Sequence, residues 1–133
     1  MDLINPPELG KPSGWTNGVL APAGFRLLFV AGQTAADPAG RVTGADFAAQ
    51  FDAALGKVLK VVEAAGGAST DVARMTVYVC DLDAYRRARP QLGAAWRARM
   101  GSHYPAMTLV EVSRLLDEGA MVEIEVTAVL PPA

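Results

Sequence analysis

The chain has 133 residues, 51% of them hydrophobic, which fits a single domain (1–133) with a substantial core. Its formal net charge of −2 argues against binding to nucleic acid, which would need a stripe of basic residues for the phosphates. No apolar run approaches the ~20 residues that span a membrane. A single cysteine excludes an intramolecular disulfide, and a single histidine excludes a multi-histidine metal site within one subunit. No signal-peptide pattern is visible, so the cytoplasm is the expected location.

The chain begins with an irregular segment followed by two strands. Three prolines among the first dozen residues predict that 1–12 is an irregular lead-in. A short strand is predicted from Gly18 to Ala21. The continuous apolar run from Phe25 to Ala31, bounded by Gly32, is typical of a buried strand.

The first helix is the clearest element, and we expect it at roughly 44–65. Thr43, with Asp46 three residues later, resembles a capping box, and Gly66 with Gly67 supplies the stop. Apolar residues recur at three- and four-residue spacing, which indicates one buried helix face. They are Phe47, Phe51, Leu55, Val58, Leu59 and Val62.

A strand from Met75 to Cys80 precedes the second helical region. Asp81 or Asp83 can cap the start of this region. Proline lacks an N–H and crowds the preceding turn, so Pro90 should lie in the first turn of a helix. We therefore expect a short turn at 82–88, and then the main helix.

The main helix should reach Met100 and end at Gly101, with Leu92, Trp96 and Met100 on its buried face. Two strands then close the sequence. We expect the first from Ala106 to Leu115 and the second from Met121 to Leu130.

The predicted order is β-β-α-β-α-β-β, an α/β (α+β) domain with two helices, which can cover only one face of the sheet. Yet the strands are apolar on both faces. Leu27 and Phe29 point one way, and Leu28 and Val30 the other. An uncovered apolar face is a liability in a monomer, and a closed symmetric oligomer would bury it.

Six segments, taken in order, carry a family resemblance. They are 13–19, 28–33, 50–66, 76–82, 104–112 and 122–126. Together they resemble the RidA/YjgF proteins over residues 13–130. The resemblance implies a chorismate-mutase-like fold with two helices on one face. It also implies a homotrimeric barrel with small-molecule sites in clefts between subunits, and no metal or cofactor.

The resemblance also implies positions for a binding site, and one departs from the family pattern. Deaminating members hold the substrate carboxylate with an arginine on the fourth strand, because a guanidinium fork matches a carboxylate. Met107 stands at that position, followed by Thr108 and Leu109. A thioether cannot anchor a carboxylate, so this wall of the expected pocket is more apolar.

Two charged residues could supply chemistry in the pocket that the resemblance implies. Glu123 matches the family glutamate that positions a water for attack, and a buried carboxylate can act as general base or acid. The alternative is a solvent-facing or interface carboxylate beside Glu125. Arg89 matches a position near the pocket mouth and could replace the missing arginine. The alternative is a solvated arginine on an arginine-rich helix.

The remaining expected pocket residues lie in the first third of the chain. Trp15 replaces a family tyrosine near the pocket lid, and the alternative is that it packs in the core. Gly32 and Gln33 are expected to form the pocket floor. Glycine there would let the backbone approach a ligand, although a strand end that needs a turn would explain it equally.

Three functions remain open at this point. The first is an enzyme that hydrolyses reactive imines or enamines, released by pyridoxal-phosphate enzymes, to carbonyl compounds and ammonia, as founding members of the family do. The second is a non-catalytic trimer that binds or senses a small metabolite, which the apolar Met107 and Leu109 favour. The third is a ribonuclease or translation inhibitor, as some relatives are named. The acidic balance and the single histidine argue against it.

Overall fold

The computed structural model describes all 133 residues, which form six strands and two α-helices. Short 3₁₀ turns lie at Pro7–Leu9 and Ser69–Asp71. The strands are β1 Asp2–Ile4, β2 Gly18–Leu20, β3 Arg26–Gln33, β4 Val72–Val79, β5 Ala106–Glu111 and β6 Val122–Leu130. The helices are α1 Phe47–Ala64 and α2 Leu82–Met100.

The main sheet has four strands in the order β3-β6-β4-β5. β4 and β5 are parallel, which requires a long crossover, and α2 supplies it. β6 runs antiparallel to both of its neighbours, β3 and β4. Met75 therefore pairs with Met107, and Tyr78 pairs with Glu123 across the other edge of β4.

Both helices cover the same face of this sheet, as the sequence predicts. The α1 stripe is buried, with Leu55, Val58 and Val62 fully inaccessible to solvent. These residues pack against alternate residues of the central strands, because successive strand side chains point to opposite faces. On β4 and β6 the inward-facing residues are Met75, Val77, Val79, Val122, Ile124 and Val126.

The opposite face has no helix on it. Its apolar residues are concentrated on β3, where Leu27 is 59% exposed and Phe29 is 75% exposed. On β4 and β6 the same face carries mainly polar groups, including Tyr78 and Glu123. The expectation that every strand is apolar on both faces is therefore wrong for the central strands, whose outward residues are mostly polar.

The first dozen residues are more ordered than the sequence predicts. β1 pairs with β2 in an antiparallel ladder in which Ile4 lies opposite Gly18. The side chain of Asn5 continues the connection, because its Oδ1 accepts hydrogen bonds from the backbone N–H and the Nδ2 of Asn17 at 2.8 and 3.1 Å. A lead-in without regular structure at 1–12 is thus a wrong prediction. The strand that orders this segment is β2, which begins only at Gly18.

Helix α1 begins three residues later than predicted. Asp46 is the N-cap and accepts a hydrogen bond from the Ala49 N–H at 2.9 Å. Thr43 instead donates its hydroxyl to the carbonyl of Ala35 at 3.1 Å. Gly44 has φ +101°, a left-handed conformation that cannot continue into a helix. The predicted stop at Gly66 is confirmed.

Helix α2 runs without interruption from Leu82 through Pro90, so the predicted break at 82–88 is wrong. Proline removes one donor to the carbonyl of Arg86, and both residues lie on the exposed side, where water can satisfy that carbonyl. Asp81 is the N-cap, and Glu111 accepts a hydrogen bond from the Leu82 N–H at 3.0 Å. This second acceptor stabilises the helix start.

Strand β5 is shorter than predicted, because it ends at Glu111 and the loop 112–121 follows. β4 begins at Val72, earlier than predicted, and β6 matches its prediction to within one residue. Neither helix combines the length and apolar character required to cross a membrane.

Candidate functional site

Glu123 lies on the uncovered face of β6, opposite Tyr78 on β4. Its carboxylate packs directly against Gly32, because a Cβ placed at position 32 would lie 2.9 Å from the Glu123 Cδ. The β3 ladder is irregular between Val30 and Gln33, so the strand departs from regular pairing where the carboxylate approaches. Gly32 therefore makes room for the Glu123 side chain.

The surroundings of Glu123 favour its neutral form. Partial burial raises the pKa of its carboxyl, and the negative charges of Asp117 and Glu125 raise that pKa further. No cation forms an ion pair with Glu123. A carboxyl group whose pKa moves toward neutrality can exchange protons with a bound molecule, which is the property of a general acid or base.

Asp117 is held in place by the loop that follows β3. The hydroxyl of the buried Thr34 donates to Asp117 Oδ2. Lys57 of α1 in turn donates its Nζ to the carbonyls of Thr34 at 2.9 Å and Ala36 at 2.8 Å. The loop is thereby tied to α1, and the negative charge beside Glu123 has a defined position.

Two further polar side chains lie on or near this face. Tyr78 donates its hydroxyl to Glu125 Oε1 at 2.9 Å, and this hydrogen bond is the main reason that the Tyr78 pKa is raised. Gln33 donates its Nε2 to the carbonyl of Ala31 at 3.2 Å, which turns the amide back onto its own strand.

Met107 and Leu109 lie on the other side of the sheet. They pair with Met75 and Val77 on β4 and pack against the core under the helices. Here residues of β5 and α2 line an open cavity of about 190 Å³. Its walls include Gly14, Arg89, Trp96, Tyr104, Met107 and Leu109.

Arg89 lines this cavity from α2. The ion pairs of the chain involve Arg41, Arg86 and Arg99, so the Arg89 guanidinium has no carboxylate partner. Arg89 is exposed to solvent in the single chain, and it is also one of the residues that line the cavity.

Trp15 is 44% exposed, so the alternative in which it packs in the core does not hold within the single chain. Its indole Nε1 donates to Asn17 Oδ1 at 3.4 Å. The next residue, Thr16, is buried and donates its backbone N–H to the carbonyl of Pro105 at 3.0 Å. This bond holds the 14–16 segment along the start of β5, beside the cavity that Gly14 lines.

Six of the eight predicted site residues fall into two groups, to which Trp15 and Gln33 do not belong. Gly32 and Glu123 lie together on the open sheet face, where Thr108 also lies and accepts a hydrogen bond from Arg74 Nη2 at 3.1 Å. A second group lines the cavity on the helix side, namely Arg89, Met107 and Leu109. A single chain does not bring the two groups into one pocket.

Several residues of these surroundings were not anticipated from the sequence. Thr34 and Asp117 form their hydrogen bond across 83 positions of sequence, so no local spacing could indicate it. Trp96 was expected in the core, but its role as a cavity wall depends on Tyr104, whose ring stacks on it. No group of three or more His, Cys, Asp or Glu side chains has a geometry that could hold a metal ion.

Comparison with known proteins gives one consistent assignment. The family model for endoribonuclease L-PSP matches residues 15–130. The chain is 32% identical to a RutC family protein of Pyrococcus horikoshii, covering 89% of each sequence. It is 34% identical over 106 residues to the 2-iminobutanoate/2-iminopropanoate deaminase of Escherichia coli, covering 77% of this chain and 79% of the relative.

A solved structure agrees with the sequence relatives. The Rid family protein YyfB of Yersinia pestis superposes with a TM-score of 0.83 at 28% identity, covering 97% of this chain and 98% of its own. The fold is therefore the α+β arrangement that the sequence resemblance implied. The chain belongs to the RidA/YjgF family.

Proposed function

We propose that this protein hydrolyses reactive imines or enamines at sites formed between copies of the chain. The observation that carries the proposal is the Glu123 carboxyl, which lies against Gly32 on an open sheet face with a raised pKa. Such a group can take a proton from water and return it, and a raised pKa makes the carboxylate a stronger general base. A relative with 34% identity is named an iminobutanoate and iminopropanoate deaminase, which supports this reaction class.

The reaction requires water, a base and a source of protons. Glu123 accepts a proton as the water oxygen bonds to the imine carbon, and the C=N electron pair moves to the nitrogen, which is protonated. The nitrogen takes a second proton and the C–N bond breaks, while the oxygen loses its remaining proton and forms the carbonyl. One imine and one water thus give one carbonyl compound and one ammonia. An enamine is first protonated on carbon to give the imine.

The proposed site needs a second copy of the chain. Glu123 and Arg89 lie on different sides of the same sheet, so one chain cannot direct both at one small molecule. The open face also exposes Leu27 and Phe29, whose burial would favour association. We therefore place the site in a homotrimer, with Glu123 of one copy facing the Arg89 cavity of the next.

Arg89 is the proposed partner of the substrate carboxylate. Met107 occupies the strand position from which the family arginine would donate, and a thioether has no N–H. Arg89 is one of the residues that line the same cavity, and its guanidinium lacks a carboxylate partner. It can offer two parallel hydrogen bonds to a carboxylate, in the manner usual for arginine.

The test is a coupled assay. A serine dehydratase generates 2-aminoacrylate in place, and the purified protein should accelerate pyruvate release over the spontaneous rate. Glu123→Gln should remove most of this acceleration, by about 10²-fold or more, as expected for loss of a general base. Glu118→Gln, a change at an exposed loop glutamate, is the control and should behave as wild type. If Glu123→Gln accelerates pyruvate release as much as the wild type does, the proposed role of Glu123 as the base is wrong.

A second function is favoured by one specific observation. Met107 and Leu109 make the cavity wall apolar, so the protein could bind a small metabolite without chemical change. In that case the protein would not accelerate imine hydrolysis over the spontaneous rate, and calorimetry would detect binding of a small metabolite. Glu123→Gln would then leave that affinity nearly unchanged, because no proton transfer is involved.

A further inference from the structure

The loop 112–121, which joins β5 to β6, brings a second carboxylate close to the proposed base. Asp117 of this loop is only partly exposed, and its Oδ2 accepts a hydrogen bond from the hydroxyl of Thr34. Thr34 follows shortly after Gly32, against which the Glu123 carboxylate packs. The short stretch of chain from Gly32 to Thr34 therefore contacts both carboxylates.

Helix α1 fixes the Thr34 side of this arrangement. Lys57 donates its Nζ to the carbonyls of Thr34 at 2.9 Å and Ala36 at 2.8 Å, so it holds the main chain on which the threonine lies. The ion pairs of the chain do not include Lys57, so the lysine does not pair with the Asp117 charge. The Thr34 hydroxyl also accepts a hydrogen bond from the Ala36 N–H at 3.3 Å, which leaves its proton free to point at Asp117.

The same helix fixes the far end of the loop 112–121. The buried Gln50 donates its Nε2 to the carbonyl of Gly119 at 3.2 Å, and its Oε1 accepts a hydrogen bond from the Met121 N–H at 2.8 Å. Both of these residues lie between Asp117 and the start of β6. Asp117 is therefore held through its side chain by one contact to the body of the protein and through its main chain by another.

The charged and titratable groups near Glu123 come from several elements. They are Asp117 of the loop, Glu125 of β6, Tyr78 and Arg74 of β4, and Lys57 of α1 behind the loop. From β3 the group in contact is Gly32, which carries no charge, and in the proposed trimer Arg89 of a neighbouring copy joins this set. Burial is the largest cause that raises the pKa of Glu123, and the charges of Asp117 and Glu125 raise that pKa further.

We propose that Asp117 is a positioning residue that sets the pH range in which Glu123 acts as the base. The proposal rests on the imine-hydrolase function above and adds to it a group that acts through Glu123 rather than on the substrate. A negative charge held nearby makes Glu123 keep its proton to higher pH, and the carboxylate that then forms is a stronger base. The hydrogen bonds that reach the loop from Thr34 and Gln50 matter because a loop free to move would carry this charge away.

The first measurement is the titration of Glu123 itself. Glutamate isotopically labelled at Cδ is incorporated into the whole protein, and the NMR signal that is absent in Glu123→Gln is followed against pH. We expect Asp117→Asn to move the titration midpoint to lower pH, because asparagine can still accept the Thr34 hydroxyl proton but has no charge. Glu118→Gln, which removes a charge from the exposed neighbouring residue, is the matched control and should leave the midpoint in place.

The second measurement is the pH profile of hydrolysis. The acceleration of pyruvate release is recorded from acid to alkaline pH, with the dehydratase adjusted to supply 2-aminoacrylate at one rate throughout. In Asp117→Asn the rate should begin to rise at lower pH than in the wild type. Its alkaline plateau should be about two- to tenfold lower, since a weaker base transfers a proton more slowly. A loop that was merely loosened would lower the rate at every pH without this displacement of the profile.

Thr34→Val tests the contact that holds Asp117. Valine has nearly the shape of threonine but no hydroxyl, so Asp117 keeps its charge and loses its fixed position. We expect the Glu123 midpoint to move to lower pH, by less than in Asp117→Asn. Thr43→Val is the matched control, because it removes a hydroxyl that donates to the carbonyl of Ala35 in the same region and does not contact Asp117. A midpoint that moves equally in both valine variants would show that the Thr34 contact has no special role.

The outcomes separate this role of Asp117 from the reaction. If Asp117→Asn leaves the midpoint of Glu123 and the pH profile where they are in the wild type, while hydrolysis still depends on Glu123, the positioning role is overturned and the proposed function stands. If the wild type accelerates the hydrolysis of no imine, the proposed function falls and Asp117 has no base to position. A midpoint and a profile that both move to lower pH in Asp117→Asn, and in neither control, support the proposal.

Discussion

The carboxylate of Glu123 occupies the space beside Gly32 that a methyl group at position 32 would fill. Gly32 does not have the left-handed φ that favours glycine, so its backbone conformation would accept any residue. What requires glycine here is the neighbouring side chain. The position of the proposed base therefore depends on the absence of a side chain on β3.

We predict that Gly32→Ala displaces the Glu123 carboxylate and impairs hydrolysis without unfolding the protein. The added methyl meets the flexible end of a glutamate, which can move, but misplacement of a reacting group by about 1 Å can cost 10²-fold in rate. The measurement is kcat for imine hydrolysis, together with the thermal unfolding temperature. Gly18→Ala is the control, because its Cβ would meet the Ile4 Cβ at an ordinary 3.5 Å. Full activity in Gly32→Ala would contradict this role for position 32.

Glu123→Gln should stabilise the fold at alkaline pH. Burial raises the pKa of Glu123 in the folded state, so its contribution to the free energy of unfolding is greatest below the unfolded pKa and is lost as pH rises through the folded value. Glutamine cannot ionise and avoids this loss. At equal protein concentration, the variant should therefore unfold at a higher temperature than wild type at pH 8, with a smaller difference at pH 4. A lower unfolding temperature at pH 8 would count against the environment described for Glu123.

The Asp52–Arg99 pair joins α1 to α2 and should show the opposite pH dependence. Arg99 Nε lies 2.7 Å from Asp52 Oδ1, and its second nitrogen lies 3.1 Å from Oδ2. The hydrogen bond from Arg99 is the main cause that lowers the pKa of Asp52. The stabilisation is therefore present above the ordinary pKa of Asp52 and is lost as pH falls through the lowered value.

We expect Asp52→Asn to reduce the free energy of unfolding by about 0.5–1 kcal/mol at neutral pH, since both side chains are partly exposed. Urea unfolding at pH 7 measures the difference, and repetition at acid pH should reduce it. Asp83→Asn removes a more exposed pair with a distance of 3.5 Å and serves as control, with a smaller effect. A larger effect for Asp83→Asn would reverse this ranking of the two pairs.

The open face of the sheet predicts self-association. Leu27 and Phe29 are exposed at 59% and 75% in the single chain, which favours association. If the copies form the proposed trimer, light scattering should give a mass of three chains for the wild type. Phe29→Glu places a charge on this face and should produce smaller species. Leu116→Glu changes a residue that is 97% exposed on the 112–121 loop and should leave the mass unchanged. A monomeric wild type would remove the interface on which the proposed site depends.

Local patterns in the sequence predicted the elements that local physics controls. The apolar spacing of α1 and the stop at Gly66 both match the structure, because amphipathic spacing and glycine at a helix end act over a few residues. The passage of α2 through Pro90 was missed. Helix propensity is only a weak guide to structure. At Pro90 the helix is exposed, so water can replace the backbone hydrogen bond that proline cannot make. β1 was missed because its partner, β2, begins 14 residues beyond the end of β1.

The site was predictable only where a family position could be matched. Resemblance indicated Glu123, Gly32 and Arg89, and the structure places the first two in contact and the third at a cavity. Thr34 and Asp117 lie near the same site and are joined by a hydrogen bond between two loops. Neither loop has a sequence motif that would predict this contact. Strand alternation correctly put Met107 and Leu109 on one face, but it could not reveal that Glu123 lies on the other.

The position of β6 has a consequence for how the polypeptide acquires its shape during synthesis. β6 lies between β3 and β4, so neither of these earlier strands can pair with the other. A nascent chain that has emerged only as far as residue 118 holds both helices and three of the four strands of the main sheet, but lacks the strand that joins β3 to the rest. Until residues 122–130 leave the ribosome, the edges of β3 and β4 stay unpaired and open to aggregation, which makes this stage the one at which a chaperone would matter most.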